Sequence, residues 1–130
     1  MLNELAQEIH KNAVVHGFYD DDYVNRRVFI LSVIEKIALA NTELSEAIEA
    51  IRISKYAQLH KFKSFPMEER MADFNLLFKD FIKDSFEDEL ADCIIRVLDL
   101  CGFLNVDIDE FVKLKMQFNV NREHRHGKEC

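Results

Sequence analysis

Four carboxylates carry the chemistry this chain could do: Glu43 with Glu46, and Glu89 with Asp92, each pair three residues apart within an apolar stretch. A step of about 100° per helical residue sets the members of a pair roughly 60° apart, on one helix face. Leu44, Ala47, Ile48 and Ile51 surround the first pair. Leu90, Ala91, Cys93, Ile94 and Ile95 surround the second. Carboxylates among such neighbours are costly unless their charge is compensated. Two helices that face each other could join both pairs into a four-carboxylate cage, with a bound cation as compensator. The donors are all hard oxygens, which favours Mg²⁺, with Mn²⁺ as a substitute, over zinc. Magnesium keeps several waters and is commonly completed by substrate phosphates, so a polyphosphate substrate is expected. Such ions polarise phosphoryl oxygens and acidify bound water. A carboxylate not fully used as a ligand could act as the base.

Basic residues gather near the end of the chain: Lys113, Lys115, Arg122, Arg125 and Lys128, with Asn119 among them. Either they clamp the phosphates of a nucleotide, or they favour a helix C-terminus and end in a solvated tail. Arg96 lies about one turn beyond Asp92, and an ion pair with Asp92 or Asp99 is expected ahead of a phosphate contact. His10, His16 and His60 read as surface or capping residues, whereas His126, in Arg-His-Gly-Lys, is a better candidate for substrate contact. Asp20, Asp21 and Asp22 are consecutive, so their side chains diverge, and a solvated loop is expected there. Phe18, Tyr19 and Tyr23 either stack on a nucleobase or plug one end of the fold; the plug is expected.

The elements that must position these groups are helical. The 130 residues include only three glycines and one proline, and long stretches run without a breaker. The length suits one domain, 1–130, with 120–130 as a basic tail. Apolar residues are 48% and charged residues 32%, as in a folded soluble protein. A net charge of −7 argues against general nucleic-acid binding. No apolar run approaches the roughly 18 residues of a membrane span. The three cysteines match no zinc motif and no secretory signal is evident, so free thiols and a cytoplasmic location are expected.

Helical spacing predicts a first helix over 2–16, ended by Gly17, and a long helix over 24–53. The apolar face of the long helix is Val28, Ile30, Leu31, Ile34, Ile37, Ala38, Leu44, Ile48 and Ile51. An irregular basic connector follows over 54–65, then a helix over 67–83 begun by Pro66. The central helix, 85–104, is apolar almost all round, with Ser85 as its cap and Asp88 as partner in a capping box. Asn105 suits a left-handed C-terminus. Asp107 and Glu110 form a second capping box for a last helix reaching about 119.

These strings resemble a known family. Glu43-Leu-Ser-Glu46 and Glu89-Leu-Ala-Asp92 are similar to the Glu-x-x-Glu … Glu-x-x-Asp signature of MazG-like nucleotide pyrophosphohydrolases, in the all-α NTP pyrophosphatase superfamily. Residues 9–18, 43–52, 86–102 and 115–128 also resemble that family, so the similarity runs along nearly the whole chain. It implies an all-α, four-helix-bundle-type fold and a Mg²⁺-dependent enzyme. The enzyme would cut an NTP or dNTP between the α and β phosphorus, giving the monophosphate and pyrophosphate. Glu43, Glu46, Glu89 and Asp92 would be the metal ligands and catalytic carboxylates. Lys115, Asn119 and Arg122 would lie near the phosphates, with Arg125 and Lys128 beyond them. A homodimer or homotetramer is implied, and the apolar richness of the helices agrees. The connector 47–88, with its extra helix 67–83, is longer than the family's compact form. The alternatives are hydrolysis of another diphosphate such as phosphoribosyl-ATP, and a non-catalytic helical binding module.

Overall fold

A computed structural model describes residues 1–19 and 25–122. Asp20–Asp22, Tyr23, Arg125, His126, Lys128 and Cys130 lie outside the described residues. The chain is all-α, as its composition and periodicity predict. Its helices are α1 Leu2–Val15, α2 Arg26–Arg52, α3 Leu59–Ser64, α4 Met67–Ala72, α5 Phe74–Phe81, α6 Phe86–Phe103 and α7 Ile108–Val120, with no strand among the described residues. None of these helices is long and apolar enough to cross a membrane. The described residues form two compact units: 1–19 with 98–122, and 25–97.

In the first unit Ala6, Leu98 and Cys101 form a small core, with Leu2, Ile9, Val106 and Ile108 packed on it. Burial pushes the Cys101 thiol up, as befits an apolar filler. Gly102 lets α1 approach α6 closely, since a Cβ there would stand 2.5 Å from the Ala6 carbonyl oxygen and 2.7 Å from His10 Cβ. The N-termini of α1 and α7 cap one another. Asp109 accepts from the backbone N–H groups of Leu2 and Asn3, both at 3.0 Å. The Asn3 side chain in turn accepts from the Asp109 N–H at 3.1 Å. These bonds satisfy donors that helix ends leave orphaned. Gly17 ends α1 at φ 81, and Asn105 closes α6 at φ 53, both left-handed as the sequence predicts.

Tyr19 is buried and plugs this unit: its hydroxyl donates to Asp99 at 2.6 Å, and its ring lies 4.5 Å from that of Phe103. Phe18 is exposed. His10, expected at the surface, instead sits half-buried with Nδ1 3.0 Å from Asp99 and its ring edge-on to Tyr19. The reason is local: the close approach that Gly102 permits carries that face of α1 onto Asp99.

In the second unit the single helix expected over 67–83 is broken, and part of the connector is helical. Asp73, at φ −116 and ψ 30, separates α4 from α5. Phe74 meets Phe62 of α3 at 5.9 Å and stacks on Phe78 at 5.8 Å. Aromatic packing, invisible in local propensity, therefore decides where this segment bends. Backbone bonds tie the segment to its surroundings: the Gln58 N–H donates to the Phe81 carbonyl at 2.7 Å, and the Phe86 N–H to the Lys55 carbonyl at 2.9 Å. Ser85 caps α6 by accepting from the Asp88 N–H at 3.2 Å. Asp88 reaches back to the Asp84 N–H, one residue further than a standard capping box.

The long helix α2 turns an unexpected face inward. Its buried positions are Ser32, Ala40, Glu43, Ala47 and Ala50, a stripe of small and polar side chains. Ile30, Ile34, Ile37, Leu44, Ile48 and Ile51, expected to face the interior, are exposed instead. Ile94, Ile95 and Val97 of α6 are also about half exposed, so this helix is not enclosed on all sides as its sequence suggests.

Candidate metal centre

The inward stripe of α2 explains how the carboxylates meet. Small residues at 40, 47 and 50 leave room beside Glu43 and Glu46, and Ser85 does the same one turn before Glu89. Oxygen atoms of Glu43, Glu46 and Glu89 lie within 4.8 Å of one another. Glu43 and Glu89 are each only 6% exposed, whereas Glu46 opens to solvent. Two helices far apart in sequence, α2 and α6, thus deliver three hard donors to one point. Asp92 is half-buried one turn further along α6 and stands outside that trio.

The electrostatics are those of crowded anions. Burial, a hydrogen bond with Glu46 and the charges of Glu46, Asp92 and Glu43 push the Glu89 carboxyl up to about 7. A hydrogen bond between two carboxylates requires a proton on one of them. Asp92 is also pushed up, first by burial and then by Asp88 and Glu43, with Arg96 acting against the shift. Arg96 donates through Nε to Glu43. It thus pairs across to α2, not with Asp92 or Asp99 on its own helix. Arg96 reaches Glu43 because both lie on facing stripes, which sequence spacing within one helix cannot show. One cation set against this many carboxylates leaves a net negative site. All-oxygen donors in that state suit a hard divalent ion, so the donor set fits such a group.

A cavity of about 280 Å³ opens beside the trio, lined by Glu46, Glu49, Ala50, Ile53, Lys55, Asp84 and Glu89. Lys55 is the one basic residue in that lining, beside Glu46 and Glu89. Asp84, Asp88 and Glu89 form a second group of converging carboxylate oxygens, which shares Glu89 with the first. Sequence spacing gave no signal for Lys55 beyond the basic character of its connector. The left-handed turn at Ser54, φ 56, is what aims the chain at this point back toward α6.

Of the basic residues expected near the phosphates, Lys115 and Arg122 belong to the first unit. Lys115 Nζ lies 4.9 Å and Arg122 Cζ 5.4 Å from the centre of the Phe118 ring, so both cations bracket one exposed aromatic. Asn119 is beside them, and its Oδ1 is buried without a hydrogen-bond partner. A buried acceptor left unpaired is costly in a native structure and is commonly met by a ligand or water. No family model, curated protein or solved structure matches this chain. The chemistry of the converging carboxylates therefore carries the functional assignment.

Proposed function

We propose that the chain is a metal-dependent nucleoside triphosphate pyrophosphohydrolase, cutting an NTP or dNTP to its monophosphate and pyrophosphate. The observation that carries this reading is the convergence of Glu43, Glu46 and Glu89, two of them buried, from two helices onto one point. The resemblance to MazG-like enzymes along nearly the whole chain supports it. Mg²⁺ is the proposed ion; Glu43, Glu46 and Glu89 would hold it, and Asp92 is proposed as a further ligand. When bound, the ion supplies Lewis-acid polarisation of phosphoryl oxygens and acidifies a coordinated water.

The protein's own residues do the rest. Arg96 fixes Glu43, so the ligand geometry is set before substrate arrives. Glu46, the most solvent-open of the trio, orients water toward the α-phosphorus and takes its proton. Lys55, on the cavity wall, offers a cation for a phosphate oxygen. On the resemblance alone, Lys115, Asn119, Arg122, Arg125 and Lys128 are proposed to contact the substrate's phosphates.

The test is pyrophosphate release from each NTP and dNTP, with Mg²⁺ and with EDTA. Metal-dependent release from at least one nucleotide is expected, with loss of at least 100-fold in turnover for Glu46→Ala and for Asp92→Ala. Turnover equal to the parent chain in either variant would sink the assignment. Release only from a different diphosphate would move the substrate class. No release from any would leave the carboxylates as a binding site alone.

A further inference from the structure

A second cavity, of about 400 Å³, lies where α3, α4 and α5 meet. Its lining is Phe62, Met67, Arg70, Met71 and Phe74, and it shares no residue with the cavity beside the carboxylates. Met67, Arg70 and Met71 stand at i, i+3 and i+4, so α4 gives one face to this space. Phe62 and Phe74 meet edge to face, with their ring planes at 88°. Met67, Met71 and Phe74 are exposed, so a ligand reaches them without any opening of the fold.

Arg70 is the one charged member of the lining. Its Nε donates to the Phe65 carbonyl at 3.0 Å, which fixes the guanidinium plane. Among the described residues no carboxylate lies within ion-pair reach of it, although Glu69 and Asp73 are close in sequence. Both Nη groups therefore keep their N–H donors for another acceptor.

We infer that this cavity binds a small aromatic monocarboxylate, with its ring among Phe62, Phe74 and the two methionines and its carboxylate on Arg70. The volume falls within the range of small-molecule pockets, and four of the five lining residues are apolar. Aromatic rings and thioethers both favour a flat aromatic body, through edge or offset contacts and sulfur against the ring. The head group follows from charge. A wholly apolar body would cover the guanidinium and leave its donors unpaired, which is unfavourable. A carboxylate matches the two Nη groups with parallel hydrogen bonds and a single charge. A phosphate monoester brings nearly two charges, and no second cation lines the cavity. This inference does not rest on the hydrolase reading, since none of these residues is a carboxylate of the trio.

The experiment is an NMR titration of the full chain, isotope-labelled at its methionine methyl groups, with naphthoate in EDTA. Saturable shifts of Met67 and Met71 are expected, with a Kd of about 1 mM or tighter. Met1 and Met116, on the other unit, should not move. Arg70→Gln should weaken binding about tenfold or more, through loss of the charged fork. Met71→Glu should do the same by facing the probe with a like charge. Met71 is 76% exposed, so the fold has little stake in that side chain, and circular dichroism verifies it. Naphthamide, of the same shape without the charge, should bind at least tenfold more weakly. Unmoved Met67 and Met71, equal movement of Met116, or binding indifferent to both substitutions overturns the inference. So does a nucleoside triphosphate that moves these methyls where naphthoate does not, which would make the cavity a base pocket. The naphthoate titration needs neither metal nor nucleotide, so its failure and the absence of pyrophosphate release are separate results.

Discussion

Glutamine at position 89 would relieve the metal-free cluster without changing its shape. A Glu89 carboxyl held at about 7, against an ordinary 4.5, keeps its proton in the folded chain after the unfolded chain has lost it. Below pH 4.5 the group is protonated in both states and has no effect on stability. Between 4.5 and 7 the unfolded state releases the proton first, so folding weakens steadily as pH rises, and above 7 the penalty is complete. At about 1.4 kcal/mol for each pH unit between the two values, the full penalty is about 3 kcal/mol. Sharing of the proton with Glu46 lowers the part that one substitution recovers, to about 2 kcal/mol. Glu89→Gln removes the charge, and its amide can still donate to Glu46. Urea unfolding followed by circular dichroism, in EDTA, should show Glu89→Gln about 2 kcal/mol more stable than the parent at pH 8. The gap should shrink toward zero near pH 4.5. With excess Mg²⁺ the order should reverse, because a ligand at about 100 times its dissociation constant adds about 2.7 kcal/mol to the state that binds it. A variant no more stable than the parent at pH 8, or a gap that ignores pH, would refute the reasoning.

Two further perturbations probe the unit that contains α1 and α7. Gly102→Ala should destabilise by about 2 kcal/mol, since the new methyl meets the Ala6 carbonyl and the α1 backbone must shift to admit it; thermal unfolding measures this. Asp109→Ala should lower the melting temperature at pH 7, because Asp109 accepts from two backbone N–H groups at the start of α1. The backbone bonds to Asn3 and Leu2 and the terminal amino group hold the Asp109 carboxyl below its usual range. Its contribution is therefore present above pH 3.8 and lost as pH falls through the lower folded value, so parent and variant should converge in strong acid.

Sequence alone determined what depends on neighbours along the chain. Helical periodicity and the scarcity of breakers gave the all-α class. Gly17, Asn105, Ser85 and Asp107 marked helix ends because capping is a matter of one or two turns. The i, i+3 spacing of Glu43–Glu46 and Glu89–Asp92 selected candidate metal ligands, since residues at that spacing share a face whatever the helix packs on. Tertiary structure decided everything that needed a second element. It chose which face of α2 points inward, because the small stripe of Ala40, Ala47 and Ala50 admits buried glutamates, while the isoleucine stripe does not. It matched Arg96 with Glu43 across helices, brought Lys55 to the cavity of Glu46 and Glu89, and broke the segment 67–83 at Asp73 so that Phe74 could reach Phe62. Periodicity can say that a helix has an apolar face. Only packing against a second element decides which face of that helix is buried.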